Sequence, residues 1–539
     1  MSTQYDLILR NGLLYDGLGN PPVAGDVAIL GKKIAAVGNL GDATAKQDID
    51  VHGLAVTPGF INVMSWANVS LIVDGKSQSD IRQGITLEII GEGSSEGPVT
   101  DQMKQDRINR QADIKYEIPW NTLGGYLEYM EKRGIATNLA SYLGAATLRI
   151  NAVGYDDRPA TPAELETMKK LTRQTMEEGA LGLSTALIYP PGSYADTQEL
   201  IELSKVVSEY GGIYISHIRN EGNSVLSALD ELITIAREAN IGAEIYHLKA
   251  TGRKNWHKMD QVIDKVNAAR AEGLQITADM YTYHASATGL GATMPDWVQD
   301  GGFTAWIQRL KDPETRARLY KEMMTETDEW ESSLQGSGGA QGVLLRSFKS
   351  PHLKPLIGKT LAEVSEMRGT EPAYTIMDLI VEDNFNVGAV YFSMTEGNLA
   401  KQLKQPWVCI GSDSESQAPE GVFIKSGVHP RAYGCFARFL GKYVRDEKVL
   451  PLEEAVRRIT SFPAQVRKIK ERGQLTPGFY ADIAVFDPAA VQDHATFAQP
   501  HQYSTGTTHV FVNGTQVLKD GEHTGALPGM AVYGPGYRK

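Results

Sequence analysis

Cysteine and long apolar runs are the features that this sequence most clearly lacks. Cys409 and Cys435 are the only cysteines among 539 residues, which excludes a disulfide framework and suits a reducing compartment. No run approaches the ~18 consecutive apolar residues of a membrane-spanning helix. Asp6 and Arg10 appear before the apolar segment of a signal peptide could form. We therefore expect a cytoplasmic protein with no signal peptide and no membrane partner.

Positive charge is also in deficit. The chain has 53 Lys and Arg against 65 Asp and Glu, a formal net charge of −12, which argues against a nucleic-acid partner. Because 42% of the residues are hydrophobic, a disordered chain is excluded. The length exceeds the ~250–300 residues of one ordinary core. An enzyme with a small-molecule substrate is the leading class, and a homo-oligomer stays open.

The two ends of the chain share a pattern of short strands and tight turns. An Asn-Gly pair at 11–12 lies between β-prone runs, and a second pair at 513–514 does the same near the end. Neither end is long enough for an independent core. We therefore expect one small β-sandwich, built from residues 1–57 and 471–539.

The middle of the chain alternates strands and helices at ~30-residue spacing, which predicts parallel strands with helical crossovers. An open doubly wound sheet and a closed (β/α)8 TIM barrel both fit this order. The polar residues expected at the strand ends favour the barrel, whose catalytic groups share one rim. They are Ser184, His217, His247, Asp279 and Asp413. We predict an α/β protein with a barrel over 58–470 and an insertion near 290–350 that covers its mouth.

Two histidines are the strongest candidates for metal ligands. His217 and His247 each end an apolar strand, and adjacent barrel strands lie ~4.8 Å apart, so their imidazoles could converge on one ion. A single histidine at a strand end is more often an unrelated polar residue. Two of them, one strand apart, favour zinc with a third protein ligand.

Other polar residues near the same rim could act on a substrate. Asp413 could serve as the general base of a metal-assisted hydrolysis, although a loop-capping role is common for such a residue. Lys249 and Arg431 could bind a substrate carboxylate or be solvated surface charges. Tyr189 and Tyr281 could donate hydrogen bonds or be core aromatics.

A set of motifs runs along the chain in this order: TPGFIN, QGIT, GALGLSTALIYPPG, ISHIRNEG, YHLKATGR, IGSDS, HPRAYGCFARFLGKYVR and RGQLTPGFYADIAVFDP. The set resembles the N-acyl-D-amino-acid deacylase (D-aminoacylase) branch of the amidohydrolase superfamily. The resemblance covers nearly the whole length and implies amide hydrolysis at a zinc site in the barrel mouth. It places His217 and His247 at zinc-binding positions and Asp413 at the catalytic position.

The resemblance also implies where a substrate would bind. Tyr189, Lys249 and Arg431 match residues that grip the substrate carboxylate, and Tyr281 matches one near the scissile carbonyl. The family pattern DxYPY is altered here, because Thr282 stands at the proline position. The way in which the carbonyl is held therefore departs from the family pattern.

The first barrel strand departs from the family in the same way. It normally reads PGFIDxHxH, whereas Met64 and Trp66 occupy the two histidine positions in this chain. Neither a thioether nor an indole is a useful zinc ligand, so a second metal site of the HxH kind is lost. Trp66 would instead contact the substrate and fill the space of the missing ligands.

The second strand departs at the metal-binding cysteine. The family motif GNCG is replaced by GEG, with Glu92 at the asparagine position and Gly93 at the cysteine position. A carboxylate one residue away is long enough to reach the same ion, so we expect Glu92 to be the third ligand. Glu88 and Glu96 are alternatives.

Three hypotheses follow from these residues. The first is a hydrolase with one Zn²⁺ per chain on Glu92, His217 and His247, which cleaves an N-acyl-D-amino acid or a related N-acyl amino acid or dipeptide. The second is an enzyme on the same barrel that acts on a cyclic amide, a urea, a carbamate or a deamination substrate. The third is a non-catalytic homologue, which the retention of Asp413 and both histidines disfavours.

Overall fold

Five strands open the chain in the computed structural model, which describes residues 4–538. They are β1 (Tyr5–Leu14), β2 (Val23–Leu30), β3 (Lys33–Gly38), β4 (Ala45–Asp50) and β5 (Ala55–Pro58). The turn expected at Asn11 and Gly12 is wrong, because both residues lie inside β1. Asn11 has a φ of 61°, and the register between β1 and β2 shifts between Leu9 and Gly12. The Asn-Gly pair therefore makes a β-bulge instead of a hairpin turn.

The next strands are parallel and form most of a barrel. They are β6 (Phe60–Asn62), β7 (Ile85–Ile90), β8 (Asn138–Ser141), β9 (Leu143–Gly144), β10 (Gly182–Ala186), β11 (Ile213–His217), β12 (Ala243–Ile245) and β13 (Ile276–Met280). Only Tyr142 separates β8 from β9, so these two act as one barrel strand. The strands are almost entirely buried, as their continuous apolar runs predict.

The insertion lies between β13 and the last barrel strand. Its three strands, β14 (Ser286–Gly289), β15 (Val343–Ser347) and β16 (Gly388–Tyr391), pair antiparallel in the order β14-β16-β15. Trp306, Leu319 and Ile376 belong to its own apolar core. The insertion predicted near 290–350 lies within this segment, which continues to Tyr391.

The barrel closes between its last strand, β17 (Val408–Ile410), and its first. The N–H of Asp413 donates to Met64 O at 2.8 Å, and the N–H of Trp66 donates to Ser414 O at 2.9 Å. The chain that follows β6 thus runs beside the chain that follows β17. The closed barrel expected from the strand-end residues is confirmed, and Trp66 and Asp413 are neighbours on its rim.

Helices connect the strands and cover the barrel and the insertion. They are Ala67–Val73, Gln78–Ile81, Asp101–Arg110, Leu123–Arg133, Ala145–Ala152, Pro162–Glu177, Thr197–Glu209, Val225–Glu238, Met259–Ala271, Phe303–Lys311, Pro313–Met324, Ser333–Gly336, Leu361–Arg368, Pro372–Glu382, Glu396–Leu403, Arg431–Arg438, Leu452–Ile459 and Ser461–Val466, with a π-helical segment at Phe439–Asp446. Thr161 caps the helix that begins at Pro162, because its Oγ1 accepts from the N–H of Glu164 at 3.3 Å.

The last strands return to the N-terminal ones. They are β18 (Ile483–Phe486), β19 (Thr507–Val512), β20 (Thr515–Lys519) and β21 (Glu522–His523), and β18 pairs antiparallel with β5. One nine-stranded sheet results from both ends of the chain, which confirms the composite β-unit. The chain divisions at 57/58 and 470/471 stay predictions. Within residues 4–538, no helix is both long enough and apolar enough to cross a membrane.

Candidate active site

Two histidines and one glutamate converge at the barrel rim. His217 is the last residue of β11, His247 follows β12, and Glu92 lies in the Gly-Glu-Gly loop after β7. Glu92 Oε1 is 3.2 Å from His217 Nδ1 and 3.2 Å from His247 Nε2. The two imidazole rings are 4.4 Å apart and nearly perpendicular. Neighbouring strands of the barrel thus bring together three side chains that are far apart in sequence.

The donor atoms of this triad fit a zinc ion. Each residue offers one ligand atom, and these atoms lie within 4.8 Å of one another. Tetrahedral zinc with ligand bonds of ~2.0–2.1 Å places its ligand atoms about 3.3 Å apart, close to the two 3.2 Å separations. Two imidazole nitrogens and one carboxylate are a donor set that zinc accepts.

The electrostatics of the triad also favour a cation. Burial opposes ionisation of Glu92, but hydrogen bonds with His217 and His247 lower its pKa to about 2. Burial and the charge of Lys249 oppose protonation of His247, yet the carboxylates of Glu221 and Glu92 raise its pKa to about 10. The carboxylates thus draw positive charge to this position, and a bound cation would compete with the proton of His247.

The other carboxylates that the sequence offered as metal ligands lie elsewhere. Glu88 accepts hydrogen bonds from Asn62 Nδ2 at 3.2 Å and from Ser77 Oγ at 3.0 Å. Glu96 pairs with Arg107 at 2.7 Å. Of the three carboxylates considered, Glu92 is the one that lies against the histidines.

The first barrel strand adds no donor to the triad. Met64 is buried in an apolar cluster with β7 and β17 side chains. Trp66 lines the cavity and donates from Nε1 to Asp413 Oδ1 at 3.1 Å. The indole thus holds the candidate general base at the place where the family pattern has a metal-binding histidine.

Asp413 lies between Trp66 and Arg431 at the rim. Its φ is 49°, a left-handed conformation directly after β17. Arg431 Nη1 is 2.9 Å from Asp413 Oδ2. Among the residues that the structure describes, this nitrogen has no aligned hydrogen-bond partner, so the contact is an ion pair without hydrogen-bond geometry. Burial raises the pKa of Asp413, and the charge of Arg431 opposes that rise.

The other residues expected to bind substrate lie at different distances from the cavity surface. Lys249 is buried, and its Nζ is 2.7 Å from Glu221 Oε1. Tyr189 lines the cavity and donates to Thr288 Oγ1 at 2.9 Å. Tyr281 is fully buried, and the guanidinium of Arg431 lies 4.4 Å from its ring centre. Tyr189 and Arg431 therefore reach the cavity surface, whereas Tyr281 supports Arg431 from behind.

A cavity of about 480 Å³ joins these groups. Its wall includes Trp66, Glu92, Tyr189, His217, His247, Lys249, Asp413 and Arg431. Ser184 and Asp279, expected at the rim, are instead buried in hydrogen bonds: Ser184 donates to the carbonyl of Gly91, and Asp279 Oδ1 accepts from the N–H of His247 at 2.8 Å.

Sequence reasoning missed six acidic or basic residues of the cavity wall: Arg107, Arg110, Glu221, Glu331, Arg346 and Glu415. Glu221 had a sequence signal, since it follows His217 by four residues in ISHIRNEG. Burial, followed by the charge of Glu221, raises the pKa of Glu331 to about 7. Glu331 and Arg346 belong to the insertion, and no local pattern indicates that they face the cavity.

Comparison with known sequences identifies the group to which the chain is related. The amidohydrolase family profile matches residues 47–518. D-aminoacylase of Alcaligenes xylosoxydans xylosoxydans is 32% identical over 532 residues, covering 98% of this chain and 97% of that protein. N-acyl-D-glutamate deacylase of the same organism is 30% identical, with 96% and 94% covered.

Solved structures agree with the sequence comparison. A D-aminoacylase structure has a TM-score of 0.81 at 31% identity, with 98% of this chain and 100% of that chain covered. N-acyl-D-glutamate deacylase of Bordetella bronchiseptica, solved with zinc and a phosphonate mimic of the tetrahedral intermediate, has a TM-score of 0.79 at 28% identity and the same coverage. The chain therefore belongs to the amidohydrolase family, in the group that contains the D-aminoacylases.

Proposed function

We propose that this protein is a zinc-dependent hydrolase that cleaves the amide bond of an N-acyl-D-amino acid or a related N-acyl amino acid or dipeptide. One observation carries the proposal: Glu92 Oε1 lies 3.2 Å from a nitrogen of both His217 and His247, in the wall of a cavity that also contains Asp413. The preference for the D configuration rests on the names of the relatives.

The residues of this chain divide the chemistry between them. Glu92, His217 and His247 would hold one Zn²⁺, which as a Lewis acid activates water and polarises a carbonyl oxygen. The Asp413 carboxylate accepts the proton of the attacking water and passes it to the departing nitrogen. Trp66 Nε1 keeps that carboxylate in place by its 3.1 Å hydrogen bond to Oδ1.

A carboxylate on the substrate fits beside the metal triad and Asp413, next to Arg431 and Tyr189. Arg431 and Tyr189 reach the cavity surface. The Arg431 guanidinium binds and orients an anionic group, and the Tyr189 hydroxyl joins it by exchanging Thr288 Oγ1 for the substrate. Tyr281 supports the guanidinium of Arg431 from behind. Lys249 contributes charge from its pair with Glu221. Between residues 4 and 538, Nε and Nη1 of Arg431 have no hydrogen-bond partner, which favours a substrate with a free carboxylate over a neutral amide.

Location and partners follow from the sequence. We propose that the protein acts in the cytoplasm on a small molecule, without a nucleic-acid or membrane partner. The net charge of −12 argues against a nucleic-acid partner, and the presence of only two cysteines suits a reducing compartment. We also propose that residues 58–470 form the hydrolase unit, and that residues 1–57 and 471–539 form the β-unit.

Metal analysis combined with a hydrolysis screen tests the proposed function. We expect about one equivalent of zinc per chain and release of the amino acid from N-acetyl-D-amino acids, with slower reaction of the L isomers. His217→Ala should lose both metal and activity, because one of three ligands is removed. Asp413→Asn should keep the metal and lose about 10²–10⁴-fold in kcat.

The matched control is His352→Ala, which makes the same change at an exposed histidine outside the cavity. It should retain both the metal and the activity. A zinc-supplemented protein that binds no metal and hydrolyses none of these substrates would contradict the proposal. Faster hydrolysis of the L isomers would contradict its stereochemical part alone.

A further inference from the structure

The cations of the cavity wall differ in whether a carboxylate already neutralises them. Lys249 pairs with Glu221 at 2.7 Å, Arg431 with Asp413 at 2.9 Å, and Arg107 with Glu96 at 2.7 Å. Arg110 and Arg346 line the same cavity without an ion pair within residues 4–538. Arg110 Nε donates to Asp106 O at 3.2 Å, whereas the buried Nε of Arg346 has no hydrogen-bond partner. Arg346 is half-buried, and a guanidinium that lines a cavity without a counter-charge, with one buried nitrogen unbonded, offers its donors to an anionic ligand.

The backbone directs Arg346 into the cavity. In the pairing of β15 with β16, Leu345 faces Ala389 and Ser347 faces Gly388, and the register shifts between them at Arg346. Such a bulge re-aims a side chain, and bulges are frequent beside active sites. The carbonyl of Arg346 accepts the N–H of Gly427 at 2.7 Å, which fixes the bulge against the segment that leads to Arg431.

The surroundings of Arg346 leave its charge free. A Cβ on Gly388 would lie 3.1 Å from Arg346 Nε, so the glycine makes room for the guanidinium. His429 is buried nearby, and burial, followed by the charges of Arg431 and Arg346, lowers its pKa well below the usual value. His429 is therefore neutral, and Arg431 and Arg346 both lie within electrostatic reach of it.

We propose that Arg346 forms a subsite for a second carboxylate of the substrate, separate from the carboxylate that Arg431 and Tyr189 bind. The inference rests on the proposed function, because it concerns the selectivity of the same cavity. A carboxylate in this place would complete the unpaired guanidinium in bidentate geometry. The second carboxylate is on the amino-acid side chain or at the end of the acyl chain. The enzyme then prefers dicarboxylic substrates over their neutral analogues.

Pairs of substrates that differ in one charge test whether the subsite exists and which part of the substrate carries the second carboxylate. N-acetyl-D-glutamate against N-acetyl-D-glutamine reads the side chain, and N-succinyl-D-alanine against N-butanoyl-D-alanine reads the acyl chain. We expect the wild-type enzyme to favour the charged member of one pair. In Arg346→Met that preference in kcat/KM should fall about 10–100-fold, the usual effect of losing a charged hydrogen bond. The neutral member should react at nearly the wild-type rate.

Arg318→Met is the matched control, since it removes the same charge from an exposed helix of the insertion. It should leave the preference unchanged, and Arg346→Lys should restore part of it. An equal loss on charged and neutral substrates in Arg346→Met, or no preference in the wild type, would overturn the subsite.

A binding measurement tests this inference independently of the proposed function. If the zinc-loaded enzyme hydrolyses none of the four compounds, calorimetric titration with N-acetyl-D-glutamate and N-succinyl-D-alanine still reads the subsite. Binding that Arg346→Met weakens more for these anions than for their neutral analogues supports the subsite, even where the proposed reaction fails. Equal binding of charged and neutral compounds by the wild type overturns it.

Discussion

Glu221 links the two histidines of the candidate metal site. Its Oε2 is 3.5 Å from His217 Nε2, and its Oε1 is 3.0 Å from His247 Nδ1. These are the ring nitrogens that face away from Glu92. A carboxylate on the far nitrogen of a metal-binding histidine fixes the tautomer and the ring orientation. Glu221 lies at hydrogen-bond distance from His247, whereas its 3.5 Å approach to His217 Nε2 is not a hydrogen bond. Lys249 holds the carboxylate in place.

Removal of the Glu221 charge should weaken metal binding without removing a ligand. In Glu221→Gln we expect zinc affinity to fall about 10–100-fold, the range found when such orienting groups are lost. Competition with a chromophoric chelator measures the change. Glu238→Gln, on an exposed position of the following helix, should bind zinc as the wild type does. Unchanged affinity in Glu221→Gln would show that the imidazoles are oriented by other contacts.

Gly93 explains why the family cysteine has no place in this loop. Its φ is +61°, and a Cβ there would lie 2.5 Å from Ala186 Cβ and 3.1 Å from Ala186 N. A side chain at 93 therefore meets β10 and takes a left-handed conformation that costs about 1–2 kcal/mol for a non-glycine residue. The carboxylate of Glu92, one residue earlier, supplies the ligand atom instead.

Reintroduction of cysteine at position 93 should accordingly do harm. We expect Gly93→Cys to lower both the thermal midpoint and the zinc affinity, because the clash with Ala186 displaces the loop that carries Glu92. Gly93→Ala is the control for the backbone and should lose as much stability. The interpretation fails if Gly93→Cys binds zinc more tightly than the wild type does.

Local patterns predicted the elements better than their ends. Apolar runs indicated β10, β11, β12 and β13, because parallel barrel strands are buried on both faces. The run AEIYHL extends from Ala243 to Leu248, but β12 ends at Ile245. His247 there has a φ of 32°, and its N–H bonds to Asp279 instead of to the sheet. Only the tertiary contact with Asp279 reveals this early end.

The insertion marks where sequence-based prediction of the site stops. The metal triad could be predicted, since each member follows a recognisable strand or motif. Glu331 and Arg346 could not, because their place in the cavity depends on how a segment of some one hundred residues docks on the barrel. The bulge at Arg346 is likewise a property of its pairing with β16, which the residues of β15 alone do not encode.

At the scale of the whole molecule, the barrel interior is charged as well as apolar. Glu244, in the middle of β12, forms an ion pair with Arg467, which follows the helix Ser461–Val466, and both side chains are fully buried. Thr277 Oγ1 donates to Glu244 Oε2 at 2.9 Å. The pair ties the end of the barrel sequence to a strand more than 200 residues earlier. It is a better target for a stability test than any single apolar contact, because removal of one charge leaves the other buried without compensation.

Loss of one charge of this pair should destabilise the protein more than loss of both charges does. Glu244→Gln leaves the Arg467 guanidinium buried without a charge partner, which costs about 3–5 kcal/mol. The double variant Glu244→Gln/Arg467→Met removes both charges and should recover much of the loss. Urea unfolding followed by circular dichroism measures the three proteins. Asp260→Asn breaks the exposed pair with Lys401 and should cost about 1 kcal/mol or less. If Glu244→Gln is no less stable than this control, or the double variant is less stable than Glu244→Gln, the barrel does not depend on the buried pair.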